Sequence, residues 1–291
     1  MSGPRILLVG SGGMLGRDLV AALGVDGPDG PREVRALRRA DLDVTDAAAV
    51  AEAVAGADVV INATAYTRVD DAETHEDEAF AVNALAPGLL AEAAARSGAR
   101  LVHVSTDYVF DGEATQPYPE DAPRHPVSAY GRTKAEGERR VLAALPDGAA
   151  ILRTAWLYGE HGQSFPRTML RLAGERETLT VVDDQRGQPT WSRDLADRIV
   201  ALIDLGVPAG IRHATGSGET TWFGFAREVF SLAGLDPQRV QPTDSAGFVR
   251  PAPRPAYSVL GHAGWASIGL PPLRDWRSAL AAAMADGILR P

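Results

Sequence analysis

Short apolar runs alternate with longer segments of helical periodicity through the first half of the chain. Residues 5–9, holding Ile6, Leu7, Leu8 and Val9, predict a buried strand, and 15–23 carries the spacing of an amphipathic helix. A short strand at 34–37, a helix at 47–55 and a strand at 58–62 follow. Then come a long helix over 76–97 with Pro87 inside it, a strand at 101–105, a helix at 128–145 and a strand at 150–154. Strands and helices in this order and at this spacing predict an α/β fold, a Rossmann-like doubly wound parallel sheet with right-handed crossovers.

The rhythm changes after about residue 158. Helices are predicted at 165–174 and 194–205 and strands at 180–182 and 211–214. Thr220 or Thr221 could cap a helix over 222–232. Residues 247–255 are proline-rich and irregular, and 273–285 predicts a last helix. The expectation is a dinucleotide-binding domain over 1–158, with elements at about 190–215 returning to it. A smaller C-terminal substrate-binding lobe would occupy most of 159–291.

Composition narrows the function. The 291 residues are 45% hydrophobic and 23% charged, as in an ordinary globular protein. Cysteine is absent, which removes disulfides, thiolate metal sites and a cysteine nucleophile. The net charge of −9 argues against nucleic-acid or anionic-membrane partners, but a small anionic ligand needs only a local patch. No apolar run approaches a membrane span, and the N-terminal run is too short for a signal segment, so a cytoplasmic protein is expected.

Gly10, Gly13 and Gly16 lie between the first strand and the first helix. Such glycines allow a tight turn and let a pyrophosphate reach the helix N-terminus. A plain glycine-rich turn is the alternative, but the strand-before, helix-after context favours a dinucleotide, with Met14 and Leu15 in the same loop. At the end of the second strand, an NAD enzyme would carry an acid for the ribose 2′-hydroxyl. Here Arg38 and Arg39 stand instead, suited to a 2′-phosphate unless they are merely solvated, so NADPH is expected, with NADH possible. Asp43 and Val44 would lie near the adenine.

A reduction site is spelled by Thr106 and by Tyr130-Gly-Arg-Thr-Lys134. Tyr130 and Lys134, four residues apart, share a helix face. The phenol could protonate a carbonyl oxygen, the ammonium could lower the phenol's pKa and reach a cofactor ribose, and the Thr106 hydroxyl could polarise the carbonyl. Tyr-x-x-x-Lys alone is common on helix surfaces, and a strand-end Ser-Thr is often only a cap. The joint order of glycine loop, hydroxyl and Tyr-x-x-x-Lys is far rarer.

That order resembles the extended short-chain dehydrogenase/reductase superfamily and, within it, the dTDP-4-dehydrorhamnose reductases. The similarity is carried by residues 10–16, 62–70 (Asn-Ala-Thr-Ala-Tyr-Thr-Arg-Val-Asp), 105–112 (Ser-Thr-Asp-Tyr-Val-Phe-Asp-Gly) and 130–134. Residues 152–159, 182–190 and 213–216 add to it. The resemblance implies NAD(P)H-dependent reduction of the 4-keto group of a dTDP-6-deoxyhexose, with Thr106, Tyr130 and Lys134 as the catalytic triad. It implies further that Ala63, Ala65 and Tyr66 border the cofactor. Thr67, Val69, Asp107, Tyr108, Trp156 and Gln185 would line the sugar-nucleotide pocket, although core packing would explain Trp156 equally well. The related sugar-nucleotide dehydratases carry Asp-Glu after the catalytic hydroxyl, whereas Tyr108 follows Asp107 here.

Three departures stand out against the family pattern: Ser164 in place of Asn, Tyr257 in place of Asn, and no glutamate at Arg17 or at Ser192-Arg193-Asp194. The last predicts no metal site and no metal-linked dimer, leaving a monomer or weak homodimer. Two alternatives remain at this stage. One is a 4-ketoreductase of a specialised deoxysugar or streptose branch. The other is a non-catalytic NADP-binding regulatory subunit, since fold does not fix function.

Overall fold

The computed structural model describes residues 3–28 and 30–289. Its first half contains β1 (Arg5–Val9), α1 (Met14–Leu23), β2 (Glu33–Leu37), α2 (Ala47–Val54), β3 (Val59–Asn62), α3 (Glu76–Phe80), α4 (Ala86–Ser97), β4 (Arg100–Thr106), α5 (Ala129–Ala144) and β5 (Ala149–Thr154). The second half contains β6 (Leu157–Tyr158), α6 (Phe165–Glu175), β7 (Leu179–Val182), β8 (Arg186–Gly187), β9 (Thr190–Trp191), α7 (Ser192–Asp204), β10 (Gly210–His213), β11 (Thr220–Thr221), α8 (Trp222–Leu232), β12 (Val240–Thr243) and α9 (Trp276–Ala285).

Six strands form one parallel sheet in the order β2-β1-β3-β4-β5-β10. The chain leaves β1 for β2 on one side and then crosses to β3 on the other. The switch point therefore lies between β1 and β3, where open α/β sheets bind ligands beyond the strand C-termini. Helices cover both faces. Leu15, Leu19 and Leu23 of α1 and Leu195, Ile199 and Leu202 of α7 pack on Ile6, Leu8 and Ile61. On the other face Val50 and Val54 of α2, Leu90 of α4 and Val141 of α5 pack on Leu7, Val60 and Ile151. The inner strands β1 and β3 are buried on both sides and read as continuous apolar runs, whereas β2 at the sheet edge is largely exposed.

The predicted helix over 76–97 is interrupted. A π-helical turn, Ala81–Leu85, separates α3 from α4. Pro87 lacks an N–H and its ring excludes the carbonyl four residues back, that of Asn83, from a regular α ladder. The wider π turn absorbs the mismatch. It also places Asn83 where its side chain reaches the cleft-lining segment described below.

A third cluster, outside the sheet, is built from Tyr158, Leu170, Leu179, Trp191, Phe225, Phe230, Val240, Trp276 and Leu280. It is held by three two-stranded pairings, β6 with β9, β7 with β12 and β8 with β11. Periodicity predicts no strands at the two-residue elements β6, β8, β9 and β11, because two residues carry no period. The last helix starts at Trp276, capped by Asp275, whose carboxylate accepts from the Arg277 and Ser278 amides. This is three residues later than the apolar pattern predicts.

Candidate active site

Three segments meet at the C-terminal edge of the sheet. Thr106 is the last residue of β4, paired in register with Thr154 of β5. Its hydroxyl donates to Asp107 Oδ1 at 2.9 Å and accepts from the Tyr108 amide at 3.2 Å. Helix α5 begins just above this edge. Ser128 caps it by accepting from the Gly131 amide at 3.1 Å, and Glu73 Oε1 accepts from the Ala129 amide at 2.8 Å. The cap fixes the first turn of α5, so Tyr130 and, one turn on, Lys134 both face inward and are buried. The Tyr108 ring meets Tyr130 edge-on, with centroids 5.5 Å apart.

Electrostatics at this point differ from the expectation that Lys134 lowers the Tyr130 pKa. Burial is the largest influence and pushes the phenol up to about 12, opposed by a hydrogen bond with Thr106 and reinforced by the charge of Asp107. Lys134 instead turns its ammonium to the Val104 carbonyl, 2.7 Å away. Burial holds it down to about 8, while Glu138, one turn further along α5, pulls upward. Asp107 is buried and pushed up to about 6, chiefly by burial and against hydrogen bonds from Ser258 and Thr106. One of its oxygens, Oδ2, has no hydrogen-bond partner among the described residues. The phenol therefore carries its proton at neutral pH, and burial brings the neighbouring carboxyl nearer to neutrality than an ordinary aspartate.

Below the triad lies an ion cluster that sequence reading missed. Glu138 is fully buried and receives Arg153 through two hydrogen bonds of 2.9 and 2.8 Å, the Ser105 hydroxyl at 2.6 Å and Arg124 at 3.2 Å. A buried carboxylate needs such partners, and Arg153 with Arg124 keeps Glu138 ionised below the usual range despite burial. The available signals were Glu138 one turn after Lys134 and the charged Arg153 inside an otherwise apolar strand.

Two asparagines anchor the segment between β3 and α3. Asn62 Oδ1 accepts from the Thr64 amide at 3.0 Å and the Thr64 hydroxyl at 2.6 Å, and its amide meets buried His103 at 3.1 Å. Asn83, on the π turn, accepts from the Tyr66 amide at 2.8 Å and donates to the Tyr66 carbonyl and to Thr133 of α5, both at 3.2 Å. Residues 63–66 are thereby clamped between β3 and the helix bearing Tyr130.

Two adjoining clefts of about 850 and 950 Å³ open along this edge. They share Gly12, Gly13, Ala63, Thr64, Ala65 and Thr67. The first brings together Met14, Leu15, Val69, Thr106, Asp107, Tyr108, Tyr130, Lys134 and Trp156. The second is lined by Gly10, Arg38, Arg39, Asp43, Val44 and Tyr66. Gln185 lines neither; its amide donates to Ser245 at 2.9 Å. Gly16 lines neither as well, and its role is packing. A Cβ there would sit 2.1 Å from the Gly10 carbonyl oxygen, and one on Gly10, whose φ is +94°, would sit 2.8 Å from the Ala63 carbonyl carbon. Ala155, inside the 152–159 run, also lines the first cleft, as do Glu160, His161 and Gln163, which no motif announces.

The clefts fit a dinucleotide. The N-cap of α1 is Gly13, which offers no side chain to the first helical amides, and a Cβ there would meet only the Gly10 oxygen at 3.5 Å. Free amides and the helix dipole at an open cleft are an anion site. Along the second cleft, Arg38 shares its Nε with Asp41 at 3.2 Å. Arg39 has no ion pair among the described residues. Asp43 Oδ1 accepts from the Thr45 amide and hydroxyl, which pulls its carboxyl below the usual range.

Residues 4–288 match the family model described as the RmlD substrate binding domain. The chain belongs to this RmlD family. A relative from Streptomyces antibioticus, named a probable dTDP-4,6-dihydroxy-2-methyloxan-3-one 4-ketoreductase, is 54% identical over 97% of this chain and 95% of its own. A dTDP-4-dehydrorhamnose reductase from Streptomyces griseus is 51% identical over 95% and 92%. Among solved RmlD-like structures, the dTDP-4-dehydrorhamnose reductase of Bacillus anthracis, in complex with NADP, superposes with a TM-score of 0.91. It is 33% identical, covering 98% of this chain and all of that one. The Rossmann-like sheet expected from the sequence is thus the family's fold.

Proposed function

We propose that this protein is an NADPH-dependent reductase, able to accept NADH, of the 4-keto group of a dTDP-4-keto-6-deoxyhexose. The leading substrate is dTDP-4-dehydro-L-rhamnose, reduced to dTDP-L-rhamnose. The observation that carries this is the convergence of Thr106, Tyr130 and Lys134 on one cleft wall beside an uncapped, glycine-lined helix N-terminus. NADPH, when bound, supplies the hydride that reaches the sugar C4. The protein's part is to hold and move a proton. Tyr130, loaded with its proton by burial, donates it to the C4 oxygen as charge develops there. The Thr106 hydroxyl donates a second hydrogen bond to that oxygen, turning away from Asp107 to do so. Asp107, whose pKa lies near 6, tunes the same hydroxyl. Lys134, whose ammonium donates to the Val104 carbonyl, would hold the nicotinamide-side ribose.

The division of labour follows the two clefts. Residues 1–158 and the returning segment at about 190–215 serve the dinucleotide, through Gly10, Gly13, Met14, Leu15, Arg38, Arg39, Asp43, Val44, Ala63, Ala65 and Tyr66. Residues 159–291, with Thr67, Val69, Asp107, Tyr108 and Trp156, serve the sugar nucleotide. Gln185 belongs to this reading only if Ser245 releases it. A second reading is favoured by the 54% identical relative: the sugar is that of a specialised deoxysugar branch. The enzyme would act in the cytoplasm as a monomer or weak homodimer, without a bridging metal. Among the described residues no helix is long and apolar enough to cross a membrane.

The test is the fall in NADPH absorbance with enzymatically prepared dTDP-4-keto-L-rhamnose, beside an NADH control. Turnover supports the reductase, and the product's stereochemistry separates the two sugars. NADPH that binds but is not consumed with any of several 4-keto stereoisomers would overturn it.

A further inference from the structure

Trp156 departs from ordinary backbone geometry. Its φ is +45°, in the left-handed region that bulky residues rarely enter. Such a conformation persists only where the surroundings over-determine it. Two neighbours do so here. The Trp222 ring stacks on the Trp156 ring, with centroids 3.6 Å apart and planes 12° from parallel. Gly187 packs so tightly that a Cβ would lie 2.6 Å from Trp156 Cε2 and 2.9 Å from its Nε1.

These two neighbours are themselves fixed together. β11 pairs antiparallel with β8, placing Thr220 opposite Gly187, and Trp222 opens the helix that follows. Thr221 caps that helix by accepting from the Gly224 amide at 3.0 Å and donates to Asp183 at 2.5 Å. Behind Trp222, Phe165 packs at 4.7 Å and leads through Phe225 to fully buried Trp276. Trp156 lines the first cleft, whereas Trp222 does not.

We infer that Trp222 is a positioning residue: with Gly187 it clamps the Trp156 indole in its left-handed seat and so sets the sugar-side wall of the cleft. This rests on the proposed reductase reading, in which Trp156 meets the sugar nucleotide. Trp222 acts on substrate only through Trp156, and the cofactor half of the cleft does not feel it.

The experiment is a double-mutant cycle read as KM for the dTDP-4-keto sugar, kcat, and NADPH affinity by fluorescence. Trp222→Ala should raise KM about 3- to 10-fold, the range of a stacked aromatic pair, with NADPH affinity unchanged. Trp222→Phe should recover most of the loss. In a Trp156→Ala background the same Trp222→Ala change should add nothing. Gly187→Ala provides a second probe should Trp222→Ala not fold. It should raise KM alone and be silent once the Trp156 ring is removed. An unchanged KM in both probes, additivity with Trp156→Ala, or a parallel loss of NADPH affinity would overturn the clamp. A wild type that binds NADPH but turns over no 4-keto sugar would bring down the reductase reading and the clamp with it. Silent variants of an active wild type would bring down the clamp alone.

Discussion

The two halves of the cleft are built by different means. The half beside Arg38 and Arg39 is made mainly of strand ends and the turns that leave them: residues 10–13 after β1, 38–45 after β2 and 63–68 after β3. Backbone amides and missing side chains do most of the work there, and each turn is local in sequence. The half beside Trp156 is made of side chains held by distant segments. Trp156 is fixed by Gly187 and Trp222, and Tyr108 lies under Arg254, which is itself tied to Asp70 at 2.9 Å. The first half can be kept constant by keeping a sheet edge. The second can change its ligand by exchanging a few side chains in loops that the sheet does not constrain.

The sharpest way to break this comparison is at Tyr130, which lines only the half that also holds Trp156. Tyr130→Phe should lower kcat at least about 100-fold while NADPH affinity stays within about 2-fold, because only the transferred proton is lost. Retention of more than about a tenth of wild-type turnover would move the acid elsewhere. Lys134 gives an effect of opposite sign. Its pKa is depressed from 10.5 to about 8, so the stability it contributes is complete above the unfolded value and is lost as pH falls through about 8. At neutral pH, denaturant titration of ligand-free Lys134→Met should show a gain of up to roughly 3 kcal/mol, together with weaker NADPH binding. A destabilised variant would mean that the bond to Val104 outweighs the burial of charge.

The remaining predictions address one half at a time. Trp156→Ala should raise the sugar-nucleotide KM by about 10-fold or more and leave the NADPH dissociation constant alone. Equal losses on both would erase the distinction between the halves. Arg38→Ala combined with Arg39→Ala should weaken NADPH by about 10-fold and NADH by less than about 2-fold, measured by fluorescence titration. Equal weakening would show that these arginines do not read the 2′-phosphate.

The sheet and most helices were legible because their signals are local. Buried parallel strands appear as unbroken apolar runs, and β1 through β5 fall within a residue or two of the expected positions. Helix α8 matches its predicted limits, because Thr221 supplies a cap directly before the apolar pattern. The π turn was not legible, since the constraint from Pro87 acts on a carbonyl four residues away and several backbone outcomes relieve it. Among the site residues, Thr106, Tyr130 and Lys134 converge because a strand end and a capped helix turn put them there. Gln185 did not join them: its side chain is held by Ser245, a contact 60 residues distant.

What the sequence determined by itself is the chemistry that follows a strand or lies within one helix turn: the glycine loop, the strand-end hydroxyl, and the phenol and ammonium four residues apart. Periodicity and caps act over a few residues, so they can be read without coordinates. The tertiary structure alone decided how those groups are tuned and what faces them. Burial lifted the Tyr130 phenol and lowered the Lys134 ammonium, Glu138 found Arg153, and Trp222 came to lie on Trp156. Desolvation and long-range packing depend on every segment that closes around a group, and no short stretch of sequence contains that information.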